Sequence, residues 1–312
     1  MNYPDRVDVV EVGLRDGLQI EPEFVPTSVK VRLLNRLIDA GVRHFEATSF
    51  VSPRAVPQLR DAADVLQQAG GRPGVTLGAL APNRKGVERA LDSKADEVIV
   101  FLSATDTHNQ KNLNRPVEQS LRDVEEIASL LQGHSIGRKG AIAVAFGCPF
   151  EGDVDIGALK AIVAQFARLG FDSVTLGDTT GMATPRLVRK TVDALRTAFP
   201  DMPLALHFHN TRGIGLVNVV EGLRAGITTY ESSLGGLGGC PYAPGATGNI
   251  CTEDLVYLLD ELGIDTGIAL PALLDAARDL QDVMGRTLPG QVMKAGPRLA
   301  LHDHRGTSVA MG

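Results

Sequence analysis

A (β/α)8 barrel, an α/β fold, is what this sequence predicts, on three observations. Short runs rich in valine, leucine and isoleucine alternate with amphipathic segments of helical length. The runs lack the polar alternation of a half-solvated sheet, so they read as buried parallel strands. Eight such units in 312 residues fit one closed barrel better than an open sheet. The first run is followed by Leu14-Arg15-Asp16-Gly17 and not by the glycine fingerprint often found there in doubly wound nucleotide-binding sheets.

Taken in order, the strands are expected at Val7–Gly13, Val42–Ala47, Val75–Leu80, Glu97–Phe101, Ala141–Ala145, Ser173–Leu176, Leu204–Phe208 and Thr228–Glu231. Helical patterns such as Val29–Ala40 and Leu187–Ala198 separate them, and another spans about Leu270–Met284. The remaining stretch, LPGQVMKAGPRLALHDHRGTSVAMG, fits no ninth unit. The chain therefore divides into a barrel domain, residues 1–285, and a C-terminal tail, 286–312.

Composition narrows the partners. The 37 acidic residues outnumber the 31 basic ones and no Lys/Arg-rich run occurs, which argues against nucleic acid or an anionic membrane surface. No stretch approaches a membrane span, and the first residues lack a secretory apolar segment, so a cytoplasmic location is expected. Three cysteines, Cys148, Cys240 and Cys251, suit free thiols in a reducing compartment.

Barrel enzymes carry their chemistry at the C-terminal ends of strands, and several strand ends here are polar. The first runs into Arg15 and Asp16. The seventh holds His207-Phe208-His209, and residues two apart on a strand point the same way, so both imidazoles can face one point. Neutral imidazoles bind divalent metals, and Asp16 could add an oxygen across the barrel mouth. His302-Asp303-His304 has the same spacing but no strand or partner, and reads as tail. Glu46 and Asp178 add carboxylates at the second and sixth strand ends, where unpaired charge is costly. After the eighth strand, residues 235–249 contain six glycines around Cys240, which suits a mobile lid delivering a thiol as acid or base.

The segments EVGLRDGLQIE, FEATSFVSP, LGDTTG, HFHNTRG and GGLGGCPYAPGATGN, in this order, resemble 3-hydroxy-3-methylglutaryl-CoA lyase. The glycine-rich GGCP loop separates these lyases from isopropylmalate and homocitrate synthases and some aldolases, which share the Arg-Asp and His-x-His elements. The resemblance implies a pyruvate-carboxyltransferase-like barrel with a divalent metal, Mg²⁺ or Mn²⁺, held by Asp16, His207, His209 and Asn249. It implies that Arg15 stabilises a thioester enolate, that Cys240 is the loop thiol, and that Glu46 and Asp178 position substrate or move protons. The implied reaction is retro-Claisen cleavage to acetyl-CoA and acetoacetate, with the base open between His207 and Asp178.

Two departures bear on substrate. Asn210-Thr211-Arg212-Gly213 stands where such lyases typically read Asp-Thr-Tyr-Gly, placing a cation near the mouth. Ala141 stands where an active-site tyrosine is usual. The readings to be separated are a methylglutaryl-CoA lyase, a lyase for another 3-hydroxyacyl-CoA such as citramalyl-CoA, a Claisen-type synthase joining acetyl-CoA to a 2-oxo acid, and a barrel that has lost activity. A homodimer is expected from the exposed helical faces of such barrels.

Overall fold

A computed structural model describes residues 3–239 and 248–301. Eight parallel strands, β1 (Asp8–Glu11), β2 (His44–Ser49), β3 (Thr76–Leu80), β4 (Glu97–Ser103), β5 (Gly137–Ala143), β6 (Ser173–Asp178), β7 (Leu204–Phe208) and β8 (Thr229–Ser232), close in sequence order. The closure is β8 pairing with β1, with Glu11 opposite Ser232. The (β/α)8 barrel expected from the strand count is the fold observed.

The outer ring follows the strands: α1 (Thr27–Asp39), α2 (Ala62–Ala69), α3 (Arg84–Asp92), α4 (Asp106–Leu113), α5 (Val117–Leu130), α6 (Ile156–Arg168), α7 (Pro185–Ala198), α8 (Gly215–Arg224) and α9 (Thr252–Glu261). Helix α7 shows why these segments are helical. Thr184 caps it by accepting from Leu187 N at 3.3 Å, Pro185 presets the first turn, and Val188, Thr191, Val192 and Leu195 form one buried stripe. Beyond the barrel, α10 (Leu270–Met284) ends on Gly285 in the left-handed conformation, φ 62°. The short α11 (Val292–Ala295) comes next, and Leu288, Val292 and Met293 are buried in the hydrophobic core.

Seven strands lie close to their expected positions, but β5 is a correction. It begins at Gly137, four residues before the expected Ala141, and ends at Ala143. Arg138 and Lys139 hide it from a hydrophobicity reading. Lys139 nevertheless points into the barrel, where its Nζ lies 2.6 Å from Glu231 Oε1. A buried charge is tolerated in a strand when an opposite charge meets it.

The barrel interior is consequently polar where bulky aliphatic layers are usual. Glu46, Lys139, Thr175, His207 and Glu231 are all buried. Ala141 and Ala143 alternate with the fully buried Ile142 along β5 and line a cavity of about 640 Å³ at the C-terminal mouth. Among the described residues no helix is long and apolar enough to cross a membrane.

Candidate active site

Residues Gly13–Gly17, directly after β1, form one π-helical turn in which Leu18 N bonds Gly13 O at 2.9 Å and Gly17 N bonds Val12 O at 3.2 Å. The turn sets Arg15 and Asp16 side by side over the mouth. Gly13 has no room for a side chain there, because a Cβ would lie 2.5 Å from Glu11 Oε1. That carboxylate accepts from Gly13 N (2.7 Å), Leu234 N (2.9 Å) and Thr252 Oγ1 (2.6 Å), tying the turn to the start of the glycine-rich loop.

Arg15 is pinned from two sides. Its Nε donates to Glu46 Oε2 at 2.7 Å, its Nη2 donates to the same oxygen, and its Nη1 lies 2.6 Å from Asp16 Oδ1. Glu46, at the heart of β2, therefore orients the guanidinium. Among the described residues three of its five N–H groups are used, leaving one on each Nη.

Asp16, His207 and His209 are buried, and each offers a ligand atom within 4.8 Å of the others. His207 sits on β7 opposite Gly177 and Glu231, and His209 comes just past the strand end. Their Nε2 atoms lie 3.1 Å apart, and His209 Nε2 is 3.7 Å from Asp16 Oδ2. Behind them His207 Nδ1 meets Glu231 Oε2 at 2.9 Å. Burial works against a charge on His207, but Glu231 overcomes it and raises the pKa. For His209 burial prevails and the pKa falls. Burial likewise opposes ionisation of Asp16, yet Arg15 and the two histidines hold its carboxyl far below the usual range.

Asn249 joins the cluster through local pairing. Ile250 N bonds Phe208 O at 3.1 Å, Asn210 N bonds Gly248 O at 3.0 Å, and Asn249 forms a bridge with His209. Its Nδ2 donates to Asp16 Oδ2 (2.8 Å) and Leu237 O (3.0 Å), while Oδ1 is buried with no partner among the described residues. Gly238 makes this approach possible: at φ 101° it has the conformation side chains avoid, and a Cβ would fall 2.7 Å from Asn249 Nδ2.

The cavity thus gathers Arg15, Asp16, Glu46, His207 and His209. Asp178 stands beside it: Gly177 and Thr179 line the cavity, while Asp178 Oδ1 accepts from Met182 N (2.7 Å) and Ala183 N (2.9 Å). Its Oδ2 is buried with no partner among the described residues, and burial pushes the carboxyl up to about 7. Cys240 lies outside the described residues, although Gly239 directly before it lines the cavity. His302 and His304 also lie outside them.

Arg212, expected to place a cation near the mouth, stands just past the C-terminal end of β7 and acts on the Asp178 carboxyl. Arg212 Nη1 donates to Thr180 O (3.0 Å) and Gly181 O (2.7 Å), so it braces the loop after β6 and is absent from the cavity wall. Three residues of the site escape a reading of the sequence: Glu231, Lys139 and Thr175, whose Oγ1 donates to Glu231 Oε1 at 2.7 Å. The available signal is a charged residue inside a buried strand, which at Glu231 is in plain view and at Lys139 is hidden because the strand begins earlier than its apolar run.

Comparison with known proteins agrees with this arrangement. A family model described as HMGL-like matches residues 6–280. The chain is 43% identical over 291 residues to hydroxymethylglutaryl-CoA lyase YngG of Bacillus subtilis, covering 93% of this chain and 97% of that protein. It is 41% identical to the 3-hydroxy-3-isohexenylglutaryl-CoA/hydroxymethylglutaryl-CoA lyase of Pseudomonas aeruginosa, covering 95% of this chain and 98% of the other. A solved HMG-CoA lyase from Acinetobacter baumannii, in complex with coenzyme A and 3-methylmalate, superposes with a TM-score of 0.92 at 44% identity, covering 97% of this chain and 99% of that one.

Proposed function

The chain belongs to the HMGL-like family, and on that premise we propose that it is a carbon–carbon lyase cleaving 3-hydroxy-3-methylglutaryl-CoA to acetyl-CoA and acetoacetate. The observation that carries this reading is the convergence of Asp16, His207 and His209 on one point beside an arginine already oriented by Glu46. Two imidazole nitrogens facing each other at 3.1 Å with a carboxylate alongside, and Asn249 Oδ1, which has no partner among the described residues, suit a divalent cation. We assign Asp16, His207, His209 and Asn249 as its ligands and Mg²⁺ or Mn²⁺ as its identity. When bound, such a cation supplies Lewis-acid polarisation of substrate oxygens.

The chain's own groups account for the remaining tasks. Arg15 directs its two spare N–H groups at the thioester oxygen, where negative charge develops as the C–C bond breaks and its electron pair enters the enolate. Glu46 keeps that guanidinium from turning away. Of the two candidates for the base, His207 has both ring nitrogens committed, one to Glu231 and one to the ligand cluster. We therefore assign the substrate hydroxyl proton to Asp178 Oδ2. The Cys240 thiol, carried on the glycine-rich loop, would protonate the enolate carbon to complete acetyl-CoA. We further propose a cytoplasmic homodimer with residues 1–285 as the catalytic barrel.

A second reading is favoured by one observation. Ala141 lines the cavity, and the Acinetobacter relative binds 3-methylmalate, a shorter hydroxy-diacid. A lyase for a thioester such as citramalyl-CoA would keep every role above. The bracing of Arg212 removes the other argument for it. The deciding experiment measures acetyl-CoA release from both thioesters with Mg²⁺ or Mn²⁺, with His207→Ala as control. Metal-dependent cleavage of the methylglutaryl thioester supports the first reading, activity on citramalyl-CoA alone transfers the mechanism to the second, and silence on both refutes the lyase assignment.

A further inference from the structure

A line of buried charge runs from the lower barrel to the ligand cluster. Lys139 Nζ lies 2.6 Å from Glu231 Oε1, Thr175 Oγ1 donates to the same oxygen at 2.7 Å, and Glu231 Oε2 meets His207 Nδ1 at 2.9 Å. All four residues are at most 7% exposed. At its lower end Lys139 borders a separate cavity at the other end of the barrel, together with Asp8, His44, Glu97 and Thr229.

We propose that Lys139 is a positioning residue that acts through Glu231: the ion pair, completed by Thr175, fixes the carboxylate so that it accepts the hydrogen bond from His207 Nδ1–H, which keeps the proton on Nδ1 and the lone pair on Nε2, the nitrogen of the ligand cluster. The inference rests on the metal-centre reading above and goes beyond it by naming what orients the ligand. The physical reason is the tautomer. A neutral imidazole carries its proton on one nitrogen only, and whichever nitrogen finds an acceptor keeps it. Glu231 offers the acceptor at Nδ1, and its own geometry has two anchors, the Lys139 ammonium and the Thr175 hydroxyl. Lys139 reaches Glu231 from β5, and the register sets its backbone opposite Ser173, one layer below the Ala141–Thr175 pair. The ammonium must therefore extend along the barrel axis, and a shorter or neutral side chain at 139 would leave Glu231 with one donor fewer and an uncompensated buried charge. Imidazole orientation, and with it cation affinity, thereby depends on a residue that touches neither cation nor substrate.

The test is Mn²⁺ affinity of metal-free protein, read by the electron paramagnetic resonance of free Mn²⁺, for wild type, Lys139→Met, Lys139→Arg, Glu231→Gln, Thr175→Val and His207→Ala. Melting temperature without metal is followed in parallel. Glu231→Gln and Lys139→Met are expected to weaken Mn²⁺ binding about 10–100-fold, the range for loss of a partner behind a metal-binding histidine. Lys139→Arg should restore most of it, and Thr175→Val should fall between. Nitrogen-15 spectra of the His207 ring in the wild type should show the proton on Nδ1, and in Lys139→Met a mixture of tautomers. Wild-type affinity and an unchanged His207 tautomer in folded Lys139→Met would overturn the proposal, since a residue that only balances charge in the core would lower the melting temperature alone. If Lys139→Met does not fold, Glu231→Gln and Thr175→Val carry the same test, and wild-type affinity in both overturns it. If wild type itself does not bind Mn²⁺, or His207→Ala binds as tightly as wild type, the metal centre falls and this inference with it.

Discussion

Replacing Glu11 by glutamine should make the protein less sensitive to pH, and the structure sets the size of the effect. Glu11 is 1% exposed and joins the Arg15–Asp16 turn to the glycine-rich loop through donors from Gly13, Leu234 and Thr252. Burial pushes its carboxyl up from 4.5 to about 7, outweighing those three hydrogen bonds. A carboxyl with a raised folded-state pKa holds more protons folded than unfolded between those two values. Its stabilising contribution is thus complete below about pH 4.5 and is lost as pH climbs to about 7. A shift from 4.5 to about 7 corresponds to roughly 3 kcal/mol, against a total stability typically of about 5–15 kcal/mol. Glutamine keeps the shape and an acceptor for Gly13 and Leu234 but cannot ionise. Urea unfolding followed by circular dichroism from pH 4.5 to 8, in one buffer series at constant ionic strength, provides the assay. The wild type should lose roughly 3 kcal/mol relative to Glu11→Gln over that range; Glu253, raised to about 8 chiefly by burial and least by Glu11, titrates in both proteins and adds only that small Glu11-dependent part to the difference. Parallel pH profiles for the two proteins would refute the reasoning and show that the three donors keep Glu11 ionised.

Asp178→Asn keeps the acceptor for Met182 and Ala183 but removes the proton acceptor, so kcat should fall at least about 100-fold. In the wild type kcat should rise as pH passes upward through about 7, because the base works only when deprotonated, and a surviving limb in the variant would clear Asp178 of the role. Arg15→Met should lower kcat about 10²–10³-fold while Mn²⁺ still binds; calorimetric titration with Mn²⁺ beside steady-state kinetics separates the two. Gly238→Ala forces a side chain into φ 101° and against Asn249, at a cost of about 1–3 kcal/mol. It should weaken Mn²⁺ binding with little loss of helicity, and unchanged affinity would remove Asn249 from the ligand set.

Much of the fold is legible because barrel strands buried on both faces write a plain signal, a short apolar run between amphipathic helices. The exception is instructive. β5 starts at Gly137 because Lys139 can be buried against Glu231, and a pairing between strands 5 and 8 has no trace in the local pattern of either. Similarly, the sequence places the Arg212 cation near the mouth, and only the fold shows that it is spent on the carbonyls of Thr180 and Gly181.

The inventory of reactive groups and its periodicity belong to the sequence alone. Arg15 with Asp16 at a strand end, two histidines spaced to share a face of β7, and a glycine-rich stretch after β8 are all local facts, governed by strand alternation and turn geometry. Which groups meet is settled in three dimensions. The closure of β8 on β1, the stagger that lifts Lys139 to Glu231, and the pairing that swings Asn249 beside His209 each join residues far apart in the chain. Such meetings are set by strand register and backbone hydrogen bonding across the barrel, and they bring His207 Nδ1 against the Glu231 carboxylate and its Nε2 beside His209.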